Sequence, residues 1–229
     1  MSPKFSFIIP TLNEGRYIGD CIKSIKNQTL QDHEIIVVDS NSTDDTVEIS
    51  RKLDVKVLFE PKKGPGAARN TGAKQAKGKI LIFADADVRF PADFLHEFSF
   101  RFGKSGGCIF NLHAHDARSA TEANSYQWVS KIVKLFISMG VPFTAGSCFA
   151  YNKEVFDKVG GFNEKFLTNE DHELAKRVSK LQRFIFLDIP VYTSARRSQK
   201  TGFIKLTKTY AKSTLTYFLN NRCINGYWQ

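Results

Sequence analysis

The sequence predicts an α/β fold with a mainly parallel central sheet, helices on both faces of that sheet, and a C-terminal helical extension. Short apolar runs alternate with amphipathic helical patterns through the first half of the chain, as in repeated βα units. The runs are rich in Ile and Val, as expected for parallel strands buried on both faces. Parallel topology gathers the turns after these strands at one edge, where open α/β sheets bind ligands.

Each predicted element rests on its own pattern. Pro10 closes the first strand, and the helix after it carries Ile18, Ile22 and Ile25 at helical spacing. A polar turn that begins at Asp39 offers several N-cap residues for the next helix. The predicted strands are residues 5–9, 34–38, 55–59, 79–83, 107–112, 146–151 and 183–187, and the predicted helices are residues 14–27, a segment ending near 53, 64–76, 92–102, 122–138, 153–159 and 170–181.

Composition favours a cytoplasmic protein. Hydrophobic residues make up 42% and charged residues 24% of the 229 residues, which is ordinary for a globular chain. Four cysteines without CxxC or zinc-like spacing indicate free thiols in a reducing compartment. The first strand starts too early for a signal peptide, and no run of about 18 apolar residues predicts a transmembrane helix.

The C-terminal segment is strongly basic. The formal net charge is +10, and Asp188 is the last acidic residue. Residues 203–219 form an amphipathic helical pattern, which can lie on anionic lipids at the inner face of a membrane or pack on the domain with its lysines exposed. Arg196 and Arg197 suit phosphate binding as well. Motifs for reading bases or stacking RNA are not evident, so no nucleic-acid partner is expected.

Two acidic groups stand out among the polar turns. Asp85 and Asp87 lie one residue apart directly after the strand at residues 79–83, and Glu170 and Asp171 open a later helix. Paired carboxylates at the end of a buried strand can hold a divalent cation and a phosphate that it carries. The same pairing is also common in solvated turns, so the order of the motifs along the chain decides the interpretation.

Six ordered segments resemble the successive motifs of family 2 glycosyltransferases, which have the Rossmann-like GT-A fold. The resemblance spans about residues 5–197. The Gln-x-x-Arg-Trp motif of the family's processive polymer synthases is absent from the sequence, which favours transfer of single sugars. The segments are FIIPTLNE (7–14), VVDSNSTDDT (37–46), GPGAARNTG (64–72), FADAD (83–87), GGFNE (160–164) and NEDHELAKR (169–177).

The resemblance implies transfer of a sugar from a nucleotide-diphosphate donor with the help of Mg²⁺ or Mn²⁺. Asp87 would be the direct metal ligand, and Asp85 would contact the ribose or donor sugar, or reach the metal through water. Asp39 would accept a hydrogen bond from the base, with Thr11 lining the same pocket. A carboxylate suits the N–H edge of uracil or guanine, so UDP or GDP donors are favoured.

The resemblance also implies phosphate contacts before the fourth strand. Gly64 and Gly66 allow close approach of the backbone, and Arg69 adds positive charge one turn into the helix. An ordinary helix-start turn with a solvated Arg69 is the alternative. Glu14 would reach the nucleotide, or would be an acid favoured by the dipole of its helix.

The later acidic cluster supplies the catalytic base by the same resemblance. Asp171 would take the proton of the acceptor hydroxyl, with Glu170 supporting it or contacting the acceptor. Direct attack with one base predicts inversion at the anomeric carbon. A capping box from Thr168 to Asp171 is a compatible alternative. No late histidine follows His172 as an extra metal ligand.

Alternatives to this function stay open at the level of the sequence. A sugar-phosphate nucleotidyltransferase has a related architecture, and a non-catalytic anion-binding protein would also use a basic face. The expected acceptor is a glycan or a lipid-linked molecule, with peripheral membrane contact through the basic tail. We expect one domain over residues 1–195, with a nucleotide-binding half of about 1–90 and an acceptor-side half of about 91–195, followed by an extension over 196–229.

Overall fold

The computed structural model describes residues 3–144 and 146–202 and, further on, residues 205, 208, 209, 212 and 216. In these ranges strands and helices alternate from the start of the chain. The strands are β1 (Phe5–Thr11), β2 (His33–Asp39), β3 (Lys56–Phe59), β4 (Ile80–Ala84), β5 (Gly107–Ala114), β6 (Cys148–Asn152) and β7 (Phe184–Thr193). The helices are α1 (Gly15–Lys26), α2 (Thr46–Lys52), α3 (Pro65–Gln75), α4 (Phe94–Arg101), α5 (Ala120–Ser138), α6 (Lys153–Lys158), α7 (Glu170–Ser179) and α8 (Arg196–Thr201).

The strands form a seven-stranded sheet in the order β3-β2-β1-β4-β6-β5-β7. Strand β1 pairs in parallel with β2 and β4, β2 with β3, and β5 with β7. Strand β6 is antiparallel to both β4 and β5. The predicted mainly parallel sheet is therefore confirmed, and the carboxyl ends of β1, β2 and β4 meet at one edge.

Alternate residues of β1 face two separate hydrophobic clusters. Phe7 packs with α1 and α4 on one face of the sheet, whereas Ile8 packs with α3 and α7 on the other. A Cβ placed on Gly72 would lie 2.4 Å from Cγ2 of Ile8, so α3 can approach the sheet this closely only because residue 72 is glycine. The predicted helices on both faces are confirmed.

Strand β7 differs most from its prediction. It runs to Thr193, six residues beyond the predicted end at 187, although it contains Asp188 and Pro190. A register shift between Phe110 and Asn111 of β5 lets the pairing resume with Pro190 and continue to Thr193. This extension carries the chain back to the acidic edge and into α8, which lies within the predicted extension over 196–229 but before the helix predicted for 203–219.

The N-terminus of α7 also differs from its prediction. Its N-cap is Asn169, in the left-handed region with φ of 59°, and the helix begins at Glu170. The capping box predicted from Thr168 to Asp171 therefore has the wrong register. Asp171 still stabilises the helix start, because its Oδ1 accepts the backbone N–H of His172 at 2.9 Å.

The basic helix predicted for residues 203–219 lies largely outside the described residues. The five described positions in this range are helical, and Lys205, Lys208 and Lys212 are exposed. No helix in the described part of the chain is both long and apolar enough to cross a membrane.

Candidate active site

The ends of β1 and β2 place Thr11 beside Asp39. The two residues are partners in the strand register, and Thr11 Oγ1 donates to Asp39 Oδ1 at 3.1 Å. Asp39 is 1% exposed, and its Oδ2 accepts the backbone N–H of Ser42 at 2.9 Å. Asp39 therefore shapes the turn after β2 and, at the same time, lies at the edge where a ligand would bind.

Asp85 and Asp87 follow β4 at the same edge. The backbone N–H of Asp85 donates to the carbonyl of Ser147 at 2.9 Å, which fixes the turn against the start of β6. Thr193, at the end of the extended β7, donates from Oγ1 to Asp87 Oδ1 at 3.3 Å. The acidic pair is thus held by the centre of the sheet and by the strand that ends beside it.

Arg196 binds two carboxylates, those of the predicted metal ligand Asp87 and of the predicted nucleotide-binding residue Glu14. Its Nε donates to Asp87 Oδ2 at 2.8 Å, and its Nη2 donates to Glu14 Oε1 at 2.7 Å. The guanidinium also lies over the ring of Tyr17, 4.4 Å from the ring centroid. Arg197 follows with Nη2 at 4.0 Å from Asp85 Oδ2. The two arginines considered for phosphate binding therefore neutralise an acidic pocket in this structure.

The turn before α8 is anchored by the residues after β5, and α8 itself is anchored by α5. Asp116 accepts Ser194 Oγ and the backbone N–H of Ala195, both at 2.6 Å. Glu122 Oε1 accepts Ser198 Oγ at 2.7 Å. These contacts fix where Arg196 and the acidic pocket meet.

Arg69 bridges the two acidic groups. Its Nη1 donates to Glu170 Oε1 at 2.6 Å, and its Nη2 donates to Asp85 Oδ1 at 3.2 Å. Arg69 is 3% exposed, with its guanidinium 5.1 Å from the ring centroid of Phe149 and 5.5 Å from that of Phe162. The structure therefore brings Asp85 and Glu170 to one buried cation, although 85 positions separate them in the sequence.

Burial raises the proton affinity of one acid in each group. Burial and the neighbouring Asp85 raise the pKa of Asp87 to about 6, although Arg196 and Arg197 act in the opposite direction. Burial and the neighbouring Asp171 raise the pKa of Glu170 to about 7 against the effect of Arg69. Both shifts favour the protonated form of the carboxyl group, because burial removes the water that stabilises the ionised form.

The predicted base, Asp171, lies in the first turn of α7 beside a buried histidine. His172 Nδ1 accepts the backbone N–H of Thr144 at 3.0 Å, and the imidazole stacks on Phe143 with centroids 4.6 Å apart. Burial lowers the pKa of His172, which keeps Nδ1 free to accept. A Cβ on Gly146 would lie 3.9 Å from Asp171 Oδ2. The segment after α5 therefore packs against the start of α7.

The glycines before α3 serve the local backbone. Gly64 has φ of 112°, a value that side chains with a Cβ rarely adopt. A Cβ on Gly66 would lie 3.9 Å from Cγ of Glu170, so α3 starts close to the acidic cluster. The predicted phosphate contact of Gly64 and Arg69 stays a prediction, and Arg69 is buried rather than solvated.

The acidic residues at this edge suit a divalent cation whose remaining coordination positions are filled by the phosphate oxygens of a bound ligand. Among the described residues no group of three or more His, Cys, Asp or Glu side chains is placed to hold a metal ion. Asp85 and Asp87 supply carboxylate oxygens, the ligands that Mg²⁺ and Mn²⁺ prefer, and Mg²⁺ sites commonly use one or two carboxylates plus phosphate oxygens. Glu14 Oε2 is buried and has no hydrogen-bond partner in the described part of the chain.

Sequence reasoning missed Thr193 and Tyr17, and it did not foresee that Arg196 would bind Asp87. Local periodicity cannot predict contacts between residues more than a hundred positions apart. The last predicted strand ended at residue 187, nine residues before Arg196, so no strand-end signal was available for this contact.

Comparison with known proteins identifies the family of this chain. The profile described as Glycosyl transferase family 2 matches residues 6–160, more than half of the chain. An uncharacterized glycosyltransferase of Rickettsia felis is 33% identical over 150 residues, covering 64% of this chain and 23% of that protein. The GalNAc(5)-diNAcBac-PP-undecaprenol beta-1,3-glucosyltransferase of Campylobacter jejuni is 40% identical over 92 residues, covering 37% of this chain and 30% of that protein.

A solved structure shares the fold. The mannosyltransferase of Pyrobaculum calidifontis in complex with GDP-Man and Mn²⁺ superposes with a TM-score of 0.69 at 21% identity, covering 93% of this chain and 65% of that one. The chain spans less than a third of the length of the two curated relatives. The extent of the profile match and the sheet topology together show that this chain belongs to glycosyltransferase family 2 and has the GT-A fold.

Proposed function

We propose that this chain transfers one sugar from a UDP-sugar or GDP-sugar to an acceptor, with inversion at the anomeric carbon and with Mg²⁺ or Mn²⁺. The observation that carries the proposal is the bridge made by Arg69. Arg69 binds both Asp85, which we assign to the donor side, and Glu170, which we assign to the acceptor side. Sugar transfer needs these two kinds of carboxylate close together, one group near the leaving diphosphate and one near the attacking hydroxyl.

The donor would bind at the ends of β1, β2 and β4, in the half formed by about residues 1–90. Asp39 and Thr11 would receive the base, and Glu14 would contact the nucleotide. Gly64 and Arg69 would lie near the diphosphate, where the buried guanidinium adds positive charge. GDP-Man in the Pyrobaculum calidifontis structure supports a nucleotide sugar as the donor class.

Asp87 would hold the cation, with Asp85 binding it through water or contacting the sugar. When bound, Mg²⁺ or Mn²⁺ supplies Lewis-acid stabilisation of the diphosphate as it leaves. The Mn²⁺ in the Pyrobaculum calidifontis structure supports this class of ion. Thr193 orients the Asp87 carboxylate by donating to Oδ1.

Asp171 would be the general base and would remove the proton from the acceptor hydroxyl. Its Oδ1 accepts a backbone N–H of its own helix, which fixes the orientation of the carboxylate. Glu170 would support it or contact the acceptor. A single base with direct attack inverts the anomeric configuration, which NMR of the product reports.

The acceptor would be a glycan or a lipid-linked molecule, bound in the half formed by about residues 91–195. The Campylobacter jejuni relative, whose name includes an undecaprenol diphosphate, supports the lipid-linked class. Residues 196–229 would extend this domain, and peripheral contact with a membrane would bring such an acceptor within reach.

A nucleotide screen by thermal unfolding tests the donor site. We expect UDP or GDP with Mn²⁺ or Mg²⁺ to raise the unfolding midpoint by about 5 to 10 °C at a hundredfold excess over Kd, since ligands that bind only the folded state stabilise it. CDP and metal-free samples are the controls. Absence of a shift with every nucleotide and metal would contradict the proposal.

Arg196 would pass from the carboxylates to the diphosphate when the donor binds. The Arg196→Met variant should weaken binding of the preferred nucleoside diphosphate about tenfold or more, because charge-assisted hydrogen bonds to phosphate are lost. Binding of the nucleoside alone should change by less than about twofold, since that ligand lacks the phosphates. Calorimetry at saturating Mg²⁺ measures both ligands.

Lys200→Met is the matched control for Arg196. It removes one positive charge from the same helix, but Lys200 is exposed. Equal losses for the nucleoside and its diphosphate in Arg196→Met would show damage to the pocket instead of a lost phosphate contact.

A further inference from the structure

Helix α5 exposes a ridge of large apolar side chains. Trp128, Ile132, Leu135 and Met139 follow one another at spacings of four, three and four residues, so they share one side of the helix. Their exposed fractions are 63%, 47%, 58% and 67%. Phe136 borders the ridge and is 38% exposed. We call the first four residues the α5 ridge.

The opposite side of α5 is already used by the fold. Val133 is 1% exposed and packs in the cluster on one face of the sheet, and Ser130 Oγ accepts the backbone N–H of Leu112 in β5 at 3.0 Å. A surface helix of a globular protein normally has one apolar side, which faces the core. The α5 ridge is a second apolar side, and a contiguous exposed patch of this kind marks an interaction surface.

The charges around the ridge indicate which partner it fits. No acidic residue occurs between Glu122 and Glu154, whereas Lys131 and Lys134 lie within the helix. Lys131 Nζ lies 5.1 Å from the ring centroid of Trp128, whereas Lys134 is paired with Asp188, with Nζ 3.2 Å from Oδ2. Lys131 is therefore the lysine that lies beside the ridge. Tryptophan beside lysine with aliphatic neighbours is the composition of helices that lie in the interface of an anionic bilayer.

The net charge argues against a second copy of the chain as the occupant. Two copies would each carry a formal net charge of +10. Mutual repulsion opposes their association, while the same charge attracts anionic lipid headgroups. An anionic lipid surface would contact both the apolar ridge and Lys131 beside it.

The position of the ridge connects it to the acceptor side. Four and five residues after Met139 come Phe143 and Thr144, which contact His172 beside the proposed base Asp171. A bilayer against α5 would therefore lie next to the acceptor-side acids. We propose that the α5 ridge is a docking surface for an anionic lipid bilayer, which deepens the proposed function by presenting acceptors held at that surface.

Vesicle sedimentation with the full chain tests this surface without any sugar transfer. The probe is a set of vesicles of phosphatidylcholine alone or with 30% phosphatidylglycerol. We expect the wild type to bind the anionic vesicles at least about tenfold more tightly than the neutral ones, because lysines near the surface are attracted to anionic lipid. The variant Trp128→Gln/Leu135→Gln/Met139→Gln should lose at least about tenfold of that binding, since it removes three exposed apolar side chains that the bilayer would bury.

Two comparison variants isolate the ridge. Phe100→Gln removes a large side chain that is 74% exposed on α4, and it should leave vesicle binding unchanged within about twofold if the effect is specific to α5. Lys205→Gln/Lys208→Gln/Lys212→Gln removes the exposed charges of the tail. Loss of binding in the tail variant together with full binding in the ridge variant would overturn the proposal.

Other outcomes also decide the question. Failure of the wild type to bind anionic vesicles, or equal binding of neutral and anionic ones, would overturn the proposal. Light scattering that shows a dimer dissociated by the ridge variant, without vesicle binding, would assign the ridge to a second copy instead. The nucleotide-dependent thermal shift should persist in the ridge variant, so that failure of membrane docking is distinguished from failure of the glycosyltransferase proposal.

Discussion

The Asp87→Asn variant is expected to lose the metal-dependent thermal shift and to turn over the donor sugar about a thousandfold more slowly. Several kcal/mol of transition-state stabilisation come from a bound cation, and each loss of about 1.4 kcal/mol is about tenfold in rate. The change keeps the size of the side chain. The remaining Oδ1 can still accept from Thr193, so the fold should be preserved.

The measurement pairs the nucleotide that stabilises the wild type with initial rates on its sugar conjugate. Asp157→Asn is the matched control, because Asp157 lies exposed on α6 and pairs with Lys153 in an exposed contact. The control should keep both the shift and the rate. A folded Asp87→Asn variant with an unchanged shift would show that Asp87 does not hold the cation.

The Arg69→Met variant is expected to lose about 3 to 5 kcal/mol of unfolding free energy, which is typical when one partner of a buried ion pair is removed. Arg69 is 3% exposed and pairs with both Asp85 and Glu170, so its loss leaves two acids without their shared cation. Methionine fills part of the space between Phe149 and Phe162, which limits the cavity contribution.

This loss should grow as pH rises. The pKa of Glu170, already about 7, would rise further without Arg69. A carboxyl group with a raised pKa binds more protons in the folded state than in the unfolded state, so its contribution to stability falls as pH increases. Urea unfolding at pH 6 and pH 8 measures the difference, and the cost should be larger at pH 8.

Arg89→Met is the control for this experiment. Arg89 pairs with Asp20, and both side chains are about half exposed, so the variant should lose only about 0 to 1 kcal/mol. A cost for Arg69→Met as small as that of Arg89→Met would show that the buried bridge contributes little to folding.

The fold could be predicted because its strands are short, apolar and bounded by turns. Strand β4, for example, is a run of buried residues that stops at the acidic pair, and its position was predicted to within one residue. The end of β7 could not be predicted, because Asp188 and Pro190 are poor strand residues by local propensity. Pairing with β5 across a register shift outweighs that preference.

Part of the candidate site could be predicted, because the topology of the sheet follows from the strand pattern. Thr11, Asp39 and Asp85 lie at strand ends, so topology alone brings them to one edge. The partners of the acids could not be predicted, since Arg196 reaches Asp87 only through the extended β7 and the anchored turn that follows it. Contacts of this kind depend on long-range packing, which leaves no periodic pattern in the sequence.

The shared guanidinium of Arg69 makes the two acidic groups thermodynamically linked. A positive charge that draws Asp85 away from Arg69 would let Arg69 interact more strongly with Glu170. The stronger interaction would favour the ionised form of the Glu170 carboxyl group. By reciprocity, ionisation of Glu170 favours cation binding at Asp85 by the same free energy. Arrival of a donor on one side of the cleft would thus alter the proton affinity on the other side before any acceptor binds.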